Sequence, residues 1–600
     1  MDKLGNFVLK NRKLILIMGA LVVIVSLIAI PKLKREVNYA SYFEKDSEIR
    51  QAEEMMEEKL GGAIPVQIFV KADMKEPFVL KEMMKLEKYL EAQPDINDPQ
   101  SIADLICEMN RVMNGHYTIP ETRKGVENLW FFIEGQDVLD QLINSDANEG
   151  LIQAKLGSVN TKVVNRVVNA VDEYSKKELK TDLVKVKISL ASPELAEELK
   201  RERVERILSK IKWDIEKRKV KSPVPDTELR KIITSSVTWE QGGFDRTSMK
   251  GIERRINNYF YSDEADIQIE SEKIIAGILT DISQKLKRKV PEEKDLITVL
   301  KKNIPKKLYA EDPELLEYTT TSILAVINDE RRWARVNQLI EKLKPHLPQN
   351  LINNNDFLND LRDDVWEINE DWIAKDDSKY TKFTERINVE DENRIKLSVQ
   401  QTGIPLIYKE LDRKIMRSQS LGLAIAIFLV FILLTFQFKS LIGGLISTTP
   451  IILCILVNFI LMVIFDIPLD ELTILIGNIS MGVGIDYAIH FNSRFKVELA
   501  RGKTELEALD RTLETVGKAI IINALTVGVG FLVLALGDIV PMRWFGYILA
   551  ITMMTASLSA ITILPALILV SRSGFIGNFD RFTNGLAARV SEKIKRRLKR

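Results

Sequence analysis

The chain has 600 residues and a near-neutral composition, with 85 Lys and Arg against 84 Asp and Glu and a formal net charge of +1. This balance argues against an overall basic field that would attract nucleic acid, and two cysteines are too few for a disulfide scaffold. The averages conceal two different halves, because the apolar residues are concentrated in a few long stretches.

Six stretches are apolar enough to cross a bilayer, which takes about 20 residues. One lies near the N-terminus, where it reads as an uncleaved anchor rather than a signal peptide, and five lie in the last third of the chain. The predicted spans are 14–30, 418–438, 440–465, 472–493, 519–537 and 544–571. The sequence therefore predicts a multi-pass membrane protein.

Basic residues near the span ends predict the orientation. Residues 1–13, the loop 494–518 and the tail 572–600 are rich in Lys and Arg, and with six spans all three fall on the same side. We therefore expect both termini in the cytoplasm, a cell (plasma) membrane location and a large extracytoplasmic region between the first two spans. The basic cluster from Lys593 to Arg600 either sets this topology or also contacts anionic lipid.

The region between the first two spans alternates strand and helix signals. Strand patterns lie at 66–70, 150–156, 184–190 and 395–399, and a helical stripe begins at Pro77. Ser101 and Asp104 form a possible capping box before a second helix. Residues 31–192 and 391–417 are therefore predicted to form an α/β domain with two helices on a small sheet, of the split βαβ kind. The charge-dense, helix-like stretches of 193–390 indicate an inserted helical domain.

The candidate chemistry lies in the fourth span, which is interrupted by the single carboxylate of Asp486. A carboxylate within a span costs about 2.5–3.5 kcal/mol and usually has a function. Seven residues separate Asp486 from Ser493, which predicts a depth of roughly 10 Å from the cytoplasmic end of the span. Tyr487 is a candidate to donate a proton to Asp486 or to relay one from it.

Other polar and small residues accompany this carboxylate. At a helical stride of four, one stripe of the fourth span holds Asn478, Gly482, Asp486 and His490. In the fifth span, Asn523 and Thr526 share a face and are candidate hydrogen-bond partners for Asp486. The alternative for the polar residues is structural, as links between helices, and Gly482 and Gly484 are explained by close helix packing.

The run 482–494, GVGIDYAIHFNSR, and the basic loop after it resemble the fourth span of RND superfamily transporters in the MMPL-type branch. Similar patterns occur at 517–530, 545–546 and 564–565. The resemblance implies an α-helical membrane protein with a six-span RND-type bundle, one span followed by five. It also implies an extracytoplasmic α/β porter domain, here carrying a helical insertion, and proton-coupled export with Asp486 and Tyr487 as the proton-relay pair.

Family members commonly carry the six-span unit twice, whereas this chain holds one copy. We therefore expect the chain to assemble with itself, as a homodimer or, as the main competitor, a homotrimer. No phosphate-binding loop is present, which argues against ATP as an energy source. The three histidines lack metal-ligand neighbours, so no metal, cofactor, catalytic residue or enzyme activity is predicted.

These observations predict a secondary transporter, driven by the proton-motive force, that exports lipid-like or hydrophobic and amphiphilic compounds. Its partners would be membrane lipids or a hydrophobic substrate, a second copy of the chain and no nucleic acid. Two alternatives stay open: a sterol-sensing type of lipid receptor that transports nothing, and a SecDF-like secretion helper. The sequence leaves open the substrate, the direction of transport and the choice between protons and sodium ions.

Overall fold

The computed structural model describes residues 2–34, 38–179, 181–220, 226–237, 246–262, 265–287, 290–376, 391–438, 440–470 and 472–571. The basic tail 572–600 lies outside the described residues. The chain divides into two compact units. The membrane unit comprises Met1–Ile64, Leu156–Val168 and Ile404–Arg600, and the α/β unit comprises Pro65–Lys155 and Asn169–Gly403.

Within the described residues, six helices are long and apolar enough to cross a membrane, which confirms the number and order of the predicted spans. They are named TM1 (Asp2–Ala29), TM2 (Ile404–Phe438), TM3 (Leu441–Ile464), TM4 (Thr473–Ala500), TM5 (Lys518–Leu532) and TM6 (Val540–Val570). TM2 and TM4 exceed their predicted bounds because each helix continues through charged residues beyond its apolar stretch. A short helix, Glu505–Thr512, and a π-helical turn, Leu513–Gly517, lead into TM5, which ends in a 3-10 turn at Val533–Leu536.

TM6 forms the centre of the membrane unit. A single apolar cluster joins Met553 and Ala556 of TM6 to Phe491 of TM4 and Ala524 of TM5. Gly546 allows TM5 and TM6 to approach closely, because a Cβ at that position would lie 2.8 Å from the carbonyl oxygen of Phe531. Small residues permit this kind of close backbone approach between membrane helices.

TM4 begins directly after a buried acidic residue, Asp470. Its carboxylate accepts hydrogen bonds from the backbone N–H groups of Leu472 and Thr473, at 3.0 and 2.7 Å. The hydroxyl of Tyr42 donates to the same carboxylate at 2.7 Å. A carboxylate is favourable at a helix N-terminus, where backbone N–H groups lack partners and the helix dipole is positive. These bonds fix the start of TM4.

The α/β unit contains two sheets, where the sequence predicted one small sheet. The strands are β1 (Ile64–Lys71), β2 (Ile96–Gln100), β3 (Glu149–Leu156), β4 (Asp182–Lys187), β5 (Trp372–Asp376), β6 (Arg394–Lys396) and β7 (Ser398–Thr402). One sheet has the order β2-β3-β1-β7 and the other has the order β5-β4-β6. β1 and β7 are antiparallel, with Gln67 opposite Thr402 and Lys71 opposite Ser398.

The single residue Leu397 separates β6 of one sheet from β7 of the other. Leu397 is buried, and its backbone N–H donates to the carbonyl of Thr181 at 2.8 Å. The strand signal at 395–399 therefore marks two short strands that belong to different sheets.

The strand predicted at 184–190 is shorter in the structure, and the strand pattern resumes earlier than the predicted end of the insertion. β4 ends at Lys187 because the next residues turn, with Ser189 donating from its backbone N–H and its hydroxyl to the carboxylate of Asp371, at 2.9 and 2.5 Å. β5 begins at Trp372 and pairs antiparallel with β4. The segment predicted as the helical insertion, 193–390, thus includes a strand of the α/β unit.

The predicted helix at Pro77 and the predicted capping box are both present. The Ser101 hydroxyl accepts from the N–H of Ala103, and Asp104 accepts from the N–H of Ser101 at 3.0 Å. Outside the spans and the short helix before TM5, the α-helices of the described residues are Glu48–Leu60, Pro77–Ala92, Ile102–Asn114, Arg123–Trp130, Asp137–Leu142, Thr161–Lys177, Pro193–Lys217, Asp226–Val237, Arg246–Phe260, Glu272–Leu286, Glu293–Asn303, Leu315–Leu343, Gln349–Ile352 and Asn355–Val365.

The helices between Pro193 and Val365 build two apolar cores of their own. One core extends from Val204 to Ile368 and the other from Ile252 to Ile327. Buried ion pairs also join this region to the helix Pro77–Ala92. These pairs are Arg206 with Glu82 at 2.6 Å, Lys88 with Asp214 at 3.2 Å and Lys81 with Glu370 at 2.6 Å. Buried ion pairs therefore connect the helical region to the α/β fold.

Candidate functional site

TM4 places Asp486 in the middle of a long, uninterrupted helix. The helix has 28 residues and Asp486 is the fourteenth. At 1.5 Å per residue, Asp486 lies about 20 Å from either end. The sequence estimate of roughly 10 Å refers to the end of the apolar span at Ser493, and TM4 continues for seven residues beyond it.

The predicted polar stripe of TM4 is one face of the helix, and this face points away from the rest of the membrane unit. Gly482, Asp486 and His490 are exposed and Asn478 is half-buried. A Cβ on Gly482 would have no atom within 4 Å. The side-chain amide of Asn478 donates to Gln419 Oε1 of TM2 at 2.9 Å. Asp486 thus stands on an open surface.

The predicted polar residues of TM5 are exposed as well. Asn523 and Thr526 lie on the outer side of TM5, and the Thr526 hydroxyl donates to the carbonyl of Ile522 in its own helix at 2.9 Å. Among the described residues, no hydrogen bond joins either side chain to Asp486. The structure therefore shows two exposed polar faces without a bond between them.

Tyr487 faces the core of the membrane unit, unlike the adjacent Asp486. It is 1% exposed and packs in the apolar cluster with Cys454 of TM3, Phe491 and Ala556. Consecutive residues of an α-helix are rotated by about 100°, so Asp486 can face outward while Tyr487 faces the core. Within the described part of the chain, the Tyr487 hydroxyl has no hydrogen-bond partner. Among the described residues, no hydrogen bond therefore joins the side chains of the predicted relay pair, Asp486 and Tyr487.

The two glycines of the TM4 motif have different surroundings. A Cβ on Gly484 would lie 3.7 Å from Ala556 of TM6 and 3.9 Å from Ile451 of TM3, which is ordinary packing distance. Gly482, on the outer face, has no such neighbour. Helix packing therefore explains the small residue at Gly484. It gives no reason for a small residue at Gly482.

A buried polar chain across TM3, TM4 and TM6 was missed by the sequence analysis. The Thr552 hydroxyl donates to Asn458 Oδ1 at 2.7 Å, and Asn458 Nδ2 donates to the Ser480 hydroxyl at 3.2 Å. Nearer the end of TM4, Asn492 Nδ2 donates to the Ser447 hydroxyl at 2.7 Å. An asparagine within an otherwise apolar span, as at Asn458, was the signal that could have revealed it.

The last turns of TM4 contain a further group that the sequence analysis missed. Glu498 has a fully buried side chain and forms ion pairs with Arg494, Arg501 and Lys503 at 2.6, 2.9 and 2.6 Å. Its carboxylate offsets three of the basic residues that predict the cytoplasmic side. No group of three or more His, Cys, Asp or Glu residues that could hold a metal ion occurs in the described ranges.

Comparison with known proteins places this region in a family. The MMPL family profile matches residues 374–597. The chain is 29% identical over 174 residues to a membrane protein of Methanocaldococcus jannaschii, covering 29% of this chain and 45% of that protein. It is 31% identical over 108 residues to the sulfolipid-1 exporter MmpL8 of Mycobacterium tuberculosis, covering 18% of this chain and 10% of the exporter.

A third relative is the membrane protein YdfJ of Bacillus subtilis, 32% identical over 151 residues, with 24% of this chain and 21% of YdfJ covered. The chain thus spans less than half the length of each of these three relatives. Six apolar helices define the chain as a multi-pass membrane protein. The region 374–597 is MMPL-type, which confirms the predicted resemblance to RND-type transporters of this branch.

Proposed function

We propose that the protein is a secondary transporter that uses the proton-motive force to export lipid-like or amphiphilic compounds. The relative named a sulfolipid-1 exporter supports the lipid-like class of substrate. In this proposal the large α/β unit faces the outside of the cell membrane and both termini are cytoplasmic. One proton crossing about 100 mV supplies roughly 2.3 kcal/mol.

The observation that carries the proposal is the position of Asp486. A carboxylate on an open face at the middle of a membrane helix is costly in lipid unless it is protonated or meets a polar partner. Loading and releasing a proton changes the free energy of this face, and that change can be linked to movement of TM4. His490 and Asn478, on the same face, are available to support the relay or the packing.

The open face also supports assembly as a homodimer. Two copies that meet through TM4 would remove both Asp486 side chains from lipid and would restore two six-span units. Gly482, with empty space beside it, permits the close approach of a helix from the second copy. A homotrimer is the competing assembly.

The coupling test is Asp486→Asn in vesicles with an imposed pH gradient. The amide keeps hydrogen-bonding capacity and cannot carry a proton, so we expect normal folding and at least a hundredfold loss of gradient-driven lipid transport, roughly the effect of removing a positioned proton-transfer group. Asp466→Asn is the matched control, because Asp466 is exposed in the loop before TM4 and pairs with Lys34 at 2.7 Å. Full activity of Asp486→Asn would remove Asp486 from the coupling step.

The assembly test uses cysteine crosslinking, because Cys107 and Cys454 are both buried. Gly482→Cys should form a disulfide-linked dimer on mild oxidation in membranes. Leu421→Cys, at an exposed position of TM2, should not. Native mass spectrometry in mild detergent separates dimer from trimer, and an active monomer would contradict the assembly.

The same experiments distinguish the competing functions. A sterol-sensing type of receptor would bind lipid with no gradient-driven movement in either variant. A SecDF-like helper would respond to the gradient by stimulating protein export, with no lipid transport.

A further inference from the structure

The α/β unit contains a cavity of about 570 Å³ that is independent of the membrane unit and strongly acidic. The helices Pro77–Ala92, Ile102–Asn114, Pro193–Lys217 and Asn355–Val365 all contribute to its wall. Eleven acidic and six basic residues line it, an excess of five negative charges. We name it the acidic cavity.

One wall of the acidic cavity is charge-paired. Lys88 forms ion pairs with Asp214 and Asp364, and Lys210 forms one with Glu367. On the same wall, Arg218 pairs with Asp360 at 2.5 Å and Lys81 pairs with Glu370 at 2.6 Å. These basic side chains are engaged by their own partners.

The acidic cavity also holds three carboxylates without an ion pair from any described residue: Glu87, Asp104 and Asp363. Asp104 accepts from the hydroxyl of Tyr117 at 2.6 Å, and Asp363 accepts from the backbone N–H of Tyr117 at 3.3 Å. Glu87 is 3% exposed, and neither of its carboxylate oxygens has a hydrogen-bond partner among the described residues. We name these three residues the unpaired wall.

Burial leaves this wall deficient in positive charge. It raises the pKa of Glu87 well above its usual range, and the nearby Asp104 raises that pKa further. Burial also raises the pKa of Asp363 to about 7, although Lys88 and Arg111 act in the opposite direction. Arg111 is itself paired with Glu108 at 2.5 Å. A bound cation would compensate carboxylates that the protein leaves uncompensated.

We propose that the acidic cavity binds an organic polyamine, with an ammonium group held by Glu87, Asp104 and Asp363. Ammonium N–H groups donate to carboxylates in several directions, and the aliphatic segments between them fit beside Met84 and Ile119 of the wall. The volume exceeds that of a metal ion by far, and the described carboxylates do not converge as a metal-binding group. The proposal does not rest on the transport function.

The test is calorimetric titration of the full chain in detergent with spermidine, at pH 8, which lies above the pKa of Asp363. Spermidine should bind saturably with one site per chain and should raise the melting temperature. Glu87→Gln and Asp363→Asn should each weaken binding about tenfold or more, because each removes a charged hydrogen-bond acceptor. Glu108→Gln is the matched control, since Glu108 lines the same cavity, is only partly buried and is paired with Arg111; it should change affinity less than twofold.

Folding and ligand class are checked in the same series. Glu87→Gln should fold and melt no lower than the wild type, because the amide replaces a buried carboxylate without partners. Asp363 is half-buried, so Asp363→Asn gives a second variant whose folding does not depend on the buried position of Glu87. Absence of saturable spermidine binding, or equal binding by both variants and the wild type, would overturn the proposal. Tighter binding of Mg²⁺ alone with the same variant sensitivity would overturn the polyamine class.

Discussion

The two units of this protein handle charge within their folds in opposite ways. The α/β unit buries carboxylates and offsets them with lysine and arginine, as Lys88 does between Asp214 and Asp364. In the described part of the membrane unit, the interior of the spans is bonded through neutral groups such as Asn458 and Thr552, while Asp486 stands on an open face. The contrast teaches that the ion-paired carboxylates of the α/β unit are compensated within the fold, whereas Asp486 has no ion pair or hydrogen bond from another described side chain.

The largest stability effect is expected from Lys88→Met in the α/β unit. The substitution leaves Asp214 and Asp364 buried without their shared cation, and breaking a buried pair in this way costs about 3–5 kcal/mol. Denaturant unfolding followed by tryptophan fluorescence measures it, because Trp213 and Trp366 lie in this unit. Lys217→Met is the control: Lys217 pairs with Glu91 at a partly exposed position and should cost less than about 1 kcal/mol. Equal losses of stability in Lys88→Met and Lys217→Met would show that a buried ion pair contributes no more than a partly exposed one.

A smaller loss is expected from Asn458→Ala in the membrane unit. The change removes the bonds to Thr552 and Ser480, but Ser480 keeps its bond to the carbonyl of Ile476, and the single hydroxyl proton of Thr552 can be donated to the carbonyl of Ile548 instead. We therefore expect a cost of about 1–2 kcal/mol, seen as a lower melting temperature in detergent. Thr526→Val on the exposed side of TM5 should leave the melting temperature unchanged. A Thr526 effect as large as that of Asn458 would show that the neutral interior chain carries no special stability.

A further effect, which depends on pH, is expected at Asp363. Its pKa in the folded protein, about 7, lies above the ordinary value of 3.8, so the folded state binds the proton more tightly. The stability linked to this group is present at pH 4 and is lost as the pH rises through 7. Asp363→Asn should therefore match the wild type near pH 4 and melt at a higher temperature near pH 8. A difference in melting temperature between Asp363→Asn and the wild type that stays constant from pH 4 to pH 8 would contradict the raised pKa of Asp363.

The membrane spans could be predicted because length and apolarity alone decide whether a helix crosses a bilayer. The capping box at Ser101 and Asp104 was predictable for a similar reason, since the bonds are local. The rotation of TM4 about its axis was not, because glycines and polar residues occur on more than one face. The burial of Tyr487 against TM6, beside an exposed Asp486, is therefore seen only in the structure.

Long-range pairing explains the other differences. A sheet partner many residues away ends the regular part of β4 at Lys187 and begins β5 at Trp372, within a segment whose composition is helical. The buried ion pairs between the helix Pro77–Ala92 and Arg206 join residues more than a hundred positions apart. A solvated helix face and a buried ionic contact have the same charge pattern in sequence, so composition could not distinguish them.

The one-residue link at Leu397 has a mechanical consequence for the two sheets. Side chains alternate across a strand, so a slip of one register position would turn this buried leucine toward water and would break its bond to Thr181. Neither sheet can therefore slide along its edge strand while the other stays in place. A link of one residue cannot absorb a change of register, so β6 and β7 are expected to keep or lose their registers together.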